Sequence, residues 1–386
     1  ISWPCLPLVL FSAEMRSVIA LLGQKDTPTD GVEDYCTFLA RALAERGIEL
    51  KQVRVDWAER GWIGALWRLW RDSAGWRHSW VLVQYTALSW SRRGFPFPAL
   101  AVLAILRRRG ARCAVVFHEP WRQGHPSRWI DRIRGACQDW LIHKLHRGAA
   151  KGIFTLPLDA IPWLVGRSET AVFIPIGANV PERLSSREDA CKKNGNVRTI
   201  AIFCLSLDRN LFTEIEDLAY AVRYVQSRDV PVRLVVLGKG SVEARTEIEQ
   251  ALAGSGVHVS IPGMLPAEQI AETLSGAGAL LCVYGQVSQT RGSVLAGVAC
   301  GLPIVGYSGI VTGTFLEEAG VELVPYRDRE ALGAALLDVL SDNERLEALR
   351  SRSREAQKKY FAWSAIAERY IEALGLDANT PSLSGR

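Results

Sequence analysis

The 386-residue chain has no apolar run long enough to cross a bilayer as a helix, so no membrane-spanning anchor of that kind can be read from it. Its eight cysteines include no CxxC pair and no zinc-ligand spacing. Cys5, Cys36, Cys113, Cys137, Cys191, Cys204, Cys282 and Cys300 are scattered, and several sit inside apolar strand or helix patterns. That argues against a zinc ribbon or a disulfide framework and for reduced, buried thiols in a cytosolic chain. A strong excess of charge is missing as well. A net +5 spread over this length suits an anionic small ligand or an anionic surface and gives no nucleic-acid footprint. The first fourteen residues lack a basic start and make a poor signal peptide, so 1–14 is expected to be an upstream extension and Met15 the natural start.

What is present is ordinary globular composition, 48% hydrophobic and 23% charged, with enough chain for two domains that each bury a core. Short β-rich runs alternate with longer helical patterns: strands at 18–22, 49–55, 80–84, 112–117, 152–156 and 171–174, with helices at 32–46 and 99–109. After a break the pattern restarts, with strands at 199–203, 233–237, 258–261, 279–283 and 322–325 and helices at 214–226, 242–253 and 267–275. Strand and helix in alternation predict two parallel, doubly wound, Rossmann-like α/β domains. The expected boundaries are an N-terminal Rossmann-like domain over 15–182, a polar linker over 183–196, a second such domain over 197–360, a C-terminal helix over 361–376 and a frayed tail over 377–386. Ligand is expected in a cleft between the domains, where the carboxyl ends of both sets of strands face each other.

The most informative stretch is 288–307, which reads as a polar loop, a small-residue helix, a Gly turn and a buried strand. Ser288, Gln289, Thr290, Arg291, Gly292 and Ser293 precede the apolar run, so free backbone N–H groups and the positive end of a helix dipole meet beside a guanidinium. Such a loop can hold a diphosphate. Ala296, Gly297 and Ala299 let the helix lie close to a sheet, and Gly301 and Pro303 end it before Ile304.

Two tandem doubly wound domains, a phosphate loop late in the second, and Ala362-Trp363-Ser364 opening a final helix resemble the GT-B glycosyltransferases, in particular the retaining, family-4-like group. The resemblance spans about residues 15 to 375. Leu22-Gly23 with Thr29-Asp30-Gly31 resembles that group's first loop, which places Gly31 by the donor phosphates; Gln84-Tyr85 and His118-Glu119 resemble acceptor-domain strand ends. The segment Ile174-Pro175-Ile176-Gly177 resembles the run into the linker, and Gly238-Lys239-Gly240 and Pro262-Gly263 resemble donor-domain loops. The group's two glutamates, eight positions apart, are replaced by Ser288 and Ala296, which matches a subgroup with a Ser-x-x-Arg-Gly-Ser pattern. Its usual basic pair after the first donor-domain strand is reduced to Arg209.

The resemblance implies transfer of a sugar from a nucleotide-sugar to a glycan or lipid-linked acceptor with retention of configuration, in polysaccharide assembly. Breaking the donor bond leaves a diphosphate whose charge must be stabilised, and no DxD-type carboxylate pair appears in the sequence. Arg291, Arg209 and the amides at Gly292 and Ser293 are therefore expected to form a metal-independent clamp, without a cofactor. The plainer reading of Arg291 is a loop cap or a surface ion pair. His118 stands where a parallel strand ends and is the candidate for contacting the sugar or handling the acceptor's proton; its plainer reading is a satisfied strand-end histidine, with Glu119 paired to Arg122. His118 to His125 lacks the HExxH spacing, so no metal site is expected. Gly31 also fits ordinary N-terminal capping, and Gly238-Lys239-Gly240 a simple turn.

Seven of the thirteen tryptophans lie between Trp57 and Trp90 among arginines, and Ile63, Leu66, Trp67 and Trp70 share one helical face. The first expectation is that this face packs on the sheet; the other is peripheral contact of 57–90 with the inner face of the plasma membrane, beside a lipid-linked acceptor. Two other functions stay open: a nucleotide-sugar epimerase of the same fold, and a non-catalytic partner subunit.

Overall fold

The computed structural model describes residues 16–25, 30–120, 129–164, 169–182, 197–207, 210–310 and 312–376. The expected extension over 1–14, the linker over 183–196, the tail over 377–386 and Arg209 lie outside them. Strands β1 (Arg16–Leu22), β2 (Ile48–Arg54), β3 (Trp80–Tyr85), β4 (Arg112–Phe117), β5 (Lys151–Phe154) and β6 (Ala171–Phe173) form one sheet in the order β2-β1-β3-β4-β5-β6. A second sheet contains β7 (Arg198–Phe203), β8 (Val232–Leu237), β9 (His258–Gly263), β10 (Ala279–Gln286), β11 (Ile304–Tyr307) and β12 (Val321–Val324), in the order β12-β11-β10-β7-β8-β9. The pairings are parallel; Ala20, for example, sits opposite Gln52 on one side and Leu82 on the other. Central strands such as β1 and β10 are continuous apolar runs because helices cover both faces.

In the first half the helices are α1 (Gly31–Ala44), α2 (Trp57–Asp72), α3 (Pro98–Arg108) and α4 (Trp129–Gly148). The second half has α5 (Leu211–Gln226), α6 (Arg245–Ala251), α7 (Ala267–Ser275) and α8 (Gly292–Ala299), then α9 (Thr314–Glu318), α10 (Arg329–Ser341), α11 (Asn343–Ala356) and α12 (Trp363–Leu374). Local chemistry sets several of their ends. Asp30 Oδ1 accepts from Val32 and Glu33 at the start of α1, and Asp328 and Asp342 cap α10 and α11 in the same way. Gly375, in the left-handed conformation at φ 60°, closes α12.

The described residues form two compact units, one drawn from 1–115 and 122–150, the other from 116–121 and 151–386. Each alternating strand–helix segment read from the sequence is present. The helix expected over 242–253 begins only at Arg245, because the N–H and hydroxyl of Ser241 bond the Gly238 carbonyl and hold the chain in a turn.

The tryptophan-rich segment departs from its first expectation. Gly61, at φ 69°, breaks α2 after its first turn, and the remainder buries Ala65 and Leu69 against the layer beneath. Ile63 is 89%, Trp67 63% and Trp70 41% exposed, and Leu66 is half-buried, so the shared apolar face points outward. Inward packing falls to other rings: Trp57 stacks on Trp62 with centroids 4.9 Å apart, and Trp62 stacks on Trp90.

Candidate functional site

In the second sheet β7, β8 and β9 run one way from the centre and β10, β11 and β12 the other, so the topology reverses between β7 and β10. Open α/β sheets bind ligand outside the carboxyl ends of the strands at such a reversal. A cavity of about 180 Å³ opens there. It is lined by Ser206 after β7, by Asn210, Thr213, Glu214 and Asp217 at the start of α5, by Tyr284 and Gly285 on β10, by Arg291, and by Tyr307, Tyr326 and Arg327. Pockets for drug-sized ligands run to roughly 300–1,000 Å³, so this one takes part of a large ligand rather than all of it.

Its two sides carry opposite charge. Glu214 is buried, and its carboxylate accepts from the Ser206 N–H at 2.8 Å and the Ser206 hydroxyl at 2.5 Å. Asp217, also buried, accepts from Arg329 Nε at 2.5 Å, while Glu216 takes the other end of that guanidinium at 2.6 Å. Those two carboxylates, Asp217 first, hold Arg329 above its ordinary pKa. Burial, then the carboxylate of Asp217 beside it, pushes the Tyr307 phenol up, so this hydroxyl stays protonated.

Across the cavity, Arg291 caps α8 through its backbone and turns its guanidinium back onto β10. It donates to the Tyr284 carbonyl and lies 4.3 Å from the centre of the Tyr284 ring. Burial pulls its pKa down, with Tyr284 the largest opposing influence; a guanidinium stays cationic regardless. Arg291 forms no ion pair within 4.0 Å among the described residues, so the surface ion-pair reading does not hold, and its guanidinium bonds strand β10 rather than its own loop. Gly285, at φ 61°, makes room: a Cβ there would stand 3.0 Å from an Arg291 nitrogen.

The first bond within α8 runs from the Leu295 N–H to the Arg291 carbonyl, which leaves the amides of Gly292, Ser293 and Val294 to bond outside the helix. Nothing lies within 4 Å of where a Gly292 Cβ would be. Upstream, the Ser288 and Thr290 hydroxyls bond each other at 3.0 Å, and the Arg291 N–H bonds the Ser288 carbonyl. Gln289 is 0% exposed, and both atoms of its amide lack a hydrogen-bond partner among the described residues. The helix lies close to the sheet because Gly297 has no side chain; a Cβ there would meet Leu280 at 2.7 Å.

The other expected residues are dispersed. Gly238 and Gly263 stand at the ends of β8 and β9, both with positive φ, and the Gly238 N–H bonds the Gly263 carbonyl at 2.8 Å. Gly31 opens α1 with nothing within 4 Å of its would-be Cβ, and the capping read at Asp30 is observed directly. The Asp30 carboxylate also meets Arg54 at 3.4 Å. Gln84 and Tyr85 at the end of β3 are fully buried, so as folded neither side chain can touch an acceptor. His118 and Glu119 follow β4 and are half-buried; the Arg122 proposed as a partner for Glu119 lies outside the described residues. Sequence reading missed Ser206, Glu214, Asp217, Tyr284, Gly285 and Tyr326. Only the placement of Glu214 and Asp217 one turn apart in the helix after the first strand of the second sheet could have signalled any of them. Among the described residues, no group of three or more His, Cys, Asp or Glu is placed to hold a metal ion.

Residues 198–342 match the family model described as glycosyl transferases group 1. No curated protein matches the sequence. Solved structures similar over nearly the whole chain include the Anabaena protein HepE in complex with UDP, at 13% identity, TM-score 0.66, and 94% of this chain and 100% of that one covered. Sucrose-phosphate synthase from Thermosynechococcus elongatus is similar at 17% identity and TM-score 0.65, with 94% and 100% covered. A putative UDP-N-acetylglucosamine 2-epimerase from Listeria monocytogenes follows at 13% identity and TM-score 0.60, with 93% and 95% covered. Two six-stranded parallel sheets with interleaved helices, aligned end to end with these structures, give the chain the GT-B fold, and its second sheet is the core of a segment similar to glycosyl transferases group 1.

Proposed function

We propose that this protein is a glycosyltransferase that takes a sugar from a nucleotide-sugar and passes it, with retention of configuration, to a glycan or lipid-linked acceptor. The observation that carries the reading is the cavity at the reversal of the second sheet, lined by Arg291, the residue that caps α8, and by the buried carboxylates of Glu214 and Asp217. The donor's diphosphate binds the α8 amides at Gly292 and Ser293, and Arg291 swings from the Tyr284 carbonyl to meet it. Glu214 offers acceptor lone pairs to the hydroxyls of the nucleoside. As the bond from the sugar's anomeric carbon to the diphosphate oxygen breaks, the acceptor oxygen bonds that carbon on the same face. Its proton passes to His118 or to the departing diphosphate. Negative charge grows on the leaving oxygen, where the fixed amides lower the barrier without reorganising and Arg291, already swung onto the diphosphate, adds a cation. Similarity to structures solved with UDP, and with UDP and glucose, supports the donor class.

Calorimetric titration with a panel of nucleoside diphosphates, followed by assay of diphosphate release with and without acceptors, tests the proposal. Arg291→Ala should lower turnover by roughly 10²–10³-fold, the effect of losing one fixed stabilising group, while leaving the fold intact. Near-normal turnover in that variant removes Arg291 from the clamp. If no nucleotide binds to the wild type, the transferase reading fails; conversion of the nucleotide-sugar to its epimer, without an acceptor and without net diphosphate release, would instead indicate an epimerase.

A further inference from the structure

The exposed tryptophans of α2 belong to a larger surface in the first unit. Helices α2, α3 and α4 lie side by side in one layer, α3 between the other two. A helix whose outer surface meets water should carry polar residues there. In α3 the run from Pro98 to Leu106 has none, and Leu100, Ala101, Ala104 and Ile105 stay partly exposed. On α4, Trp129, Ile133 and Trp140 are exposed, and Trp140 lies 6.2 Å from Phe97, which links it to the start of α3. With Ile63, Trp67 and Trp70 of α2, they make an apolar, aromatic band across three helices, a kind of surface that marks an interaction site.

Cations are set into this band. Arg71 lies over the Trp67 ring at 5.2 Å, Arg109 over the Trp70 ring at 3.8 Å, and Lys144 over the Trp140 ring at 5.6 Å. Residues 57–112 hold ten arginines against Glu59 and Asp72, a net +8 that exceeds the +5 of the whole chain. That stretch contains α2 and α3, so the excess positive charge belongs to the segment that supplies two of the three helices of the band. A second protein surface would need matching apolar area and carboxylates; an anionic bilayer supplies both as phosphate headgroups over acyl chains. Tryptophan rings settle at that boundary, and arginines extend to the phosphates above them.

We infer that the α2–α3–α4 face binds the surface of an anionic lipid bilayer, with Ile63, Trp67 and Trp140 inserted at the headgroup boundary and the stacked cations on lipid phosphates. The inference does not depend on the proposed activity, since none of these residues lines the cavity of the second unit.

Co-sedimentation of the full chain with vesicles tests it, comparing phosphatidylcholine alone with mixtures containing phosphatidylglycerol. The wild type should bind the anionic vesicles at least about ten-fold better than the neutral ones, and added salt should weaken that binding. Ile63→Ser with Trp67→Ser should reduce binding to anionic vesicles about ten-fold or more, and Trp140→Ser should reduce it from a separate helix. Arg107→Gln with Arg108→Gln should narrow the preference for anionic lipid. Unchanged circular dichroism and unchanged nucleoside diphosphate titration show that the variants are folded. A wild type that does not sediment with anionic vesicles, or a serine variant that binds like the wild type, overturns the inference. So does sedimentation equilibrium showing a wild-type dimer, with no vesicle binding, that the serine variant splits into monomers, since the face would then join two copies of this chain.

Discussion

Gln289 shows a single polar side chain buried at the expense of stability. Its amide is shut away from water against Gly313 with no partner among the described residues, and an unsatisfied buried polar group costs about 1–3 kcal/mol. Gln289→Met keeps the shape and removes that cost. The variant should gain about 1 kcal/mol in urea unfolding of the second unit. A loss of stability would show that the amide is satisfied within the fold. The sequence marked 288–293 as a polar loop but could not show that Ser288 and Gln289 turn inward while Gly292 opens outward, because the backbone path decides which side chains face solvent. Nor could it show Arg291 folded onto Tyr284, a contact made by a strand seven residues upstream.

Elements were the most legible scale. Continuous apolar runs gave the strands, and Asp and Gly residues gave several helix ends, because these signals are local. Helix α4 went unread since its apolar positions lie on both its buried and its exposed sides, which blurs the period a one-faced helix would show. In α2 the period was read correctly and the direction was not: Ala65 and Leu69 fill the buried side, and nothing local says that the larger rings lie opposite. The turn after β8 shows how firmly backbone geometry constrains an element. Gly240 sits at φ 82°, and a Cβ there would come within 2.5 Å of the Leu205 carbonyl oxygen. Gly240→Ala should therefore destabilise the second unit by about 2–3 kcal/mol, seen as a lower midpoint in chemical denaturation. An unchanged midpoint would mean that the loop after β7 yields without cost.

At the scale of the whole molecule, the cysteines report on the packing. No disulfide joins the six described cysteines; Cys36, Cys113 and Cys300 are buried, and Cys137, Cys204 and Cys282 are half-buried. Burial pushes the Cys36 thiol up and that of Cys113 up to about 12, so at neutral pH the thiolate that attacks an alkylating agent is scarce and shielded. Pulsed iodoacetamide labelling with mass spectrometry should find both unlabelled in the native protein. They should become labelled together as denaturant rises, since Cys36 and Cys113 both lie in the first unit. Labelling of either at native conditions would show that this unit opens without global unfolding.

The sequence by itself determined the alternation of strands and helices, the two successive doubly wound patterns and the polar, helix-opening character of 288–293, since each rests on spacing along the chain. Only the tertiary structure decided that Glu214, Asp217 and Tyr307 meet Arg291 around one cavity, and that the apolar face of α2 is left outside with Arg71 and Arg109 stacked upon it. Residues far apart in sequence are brought together by the order of strands in a sheet, and which side of a helix is buried depends on what that sheet presents to it.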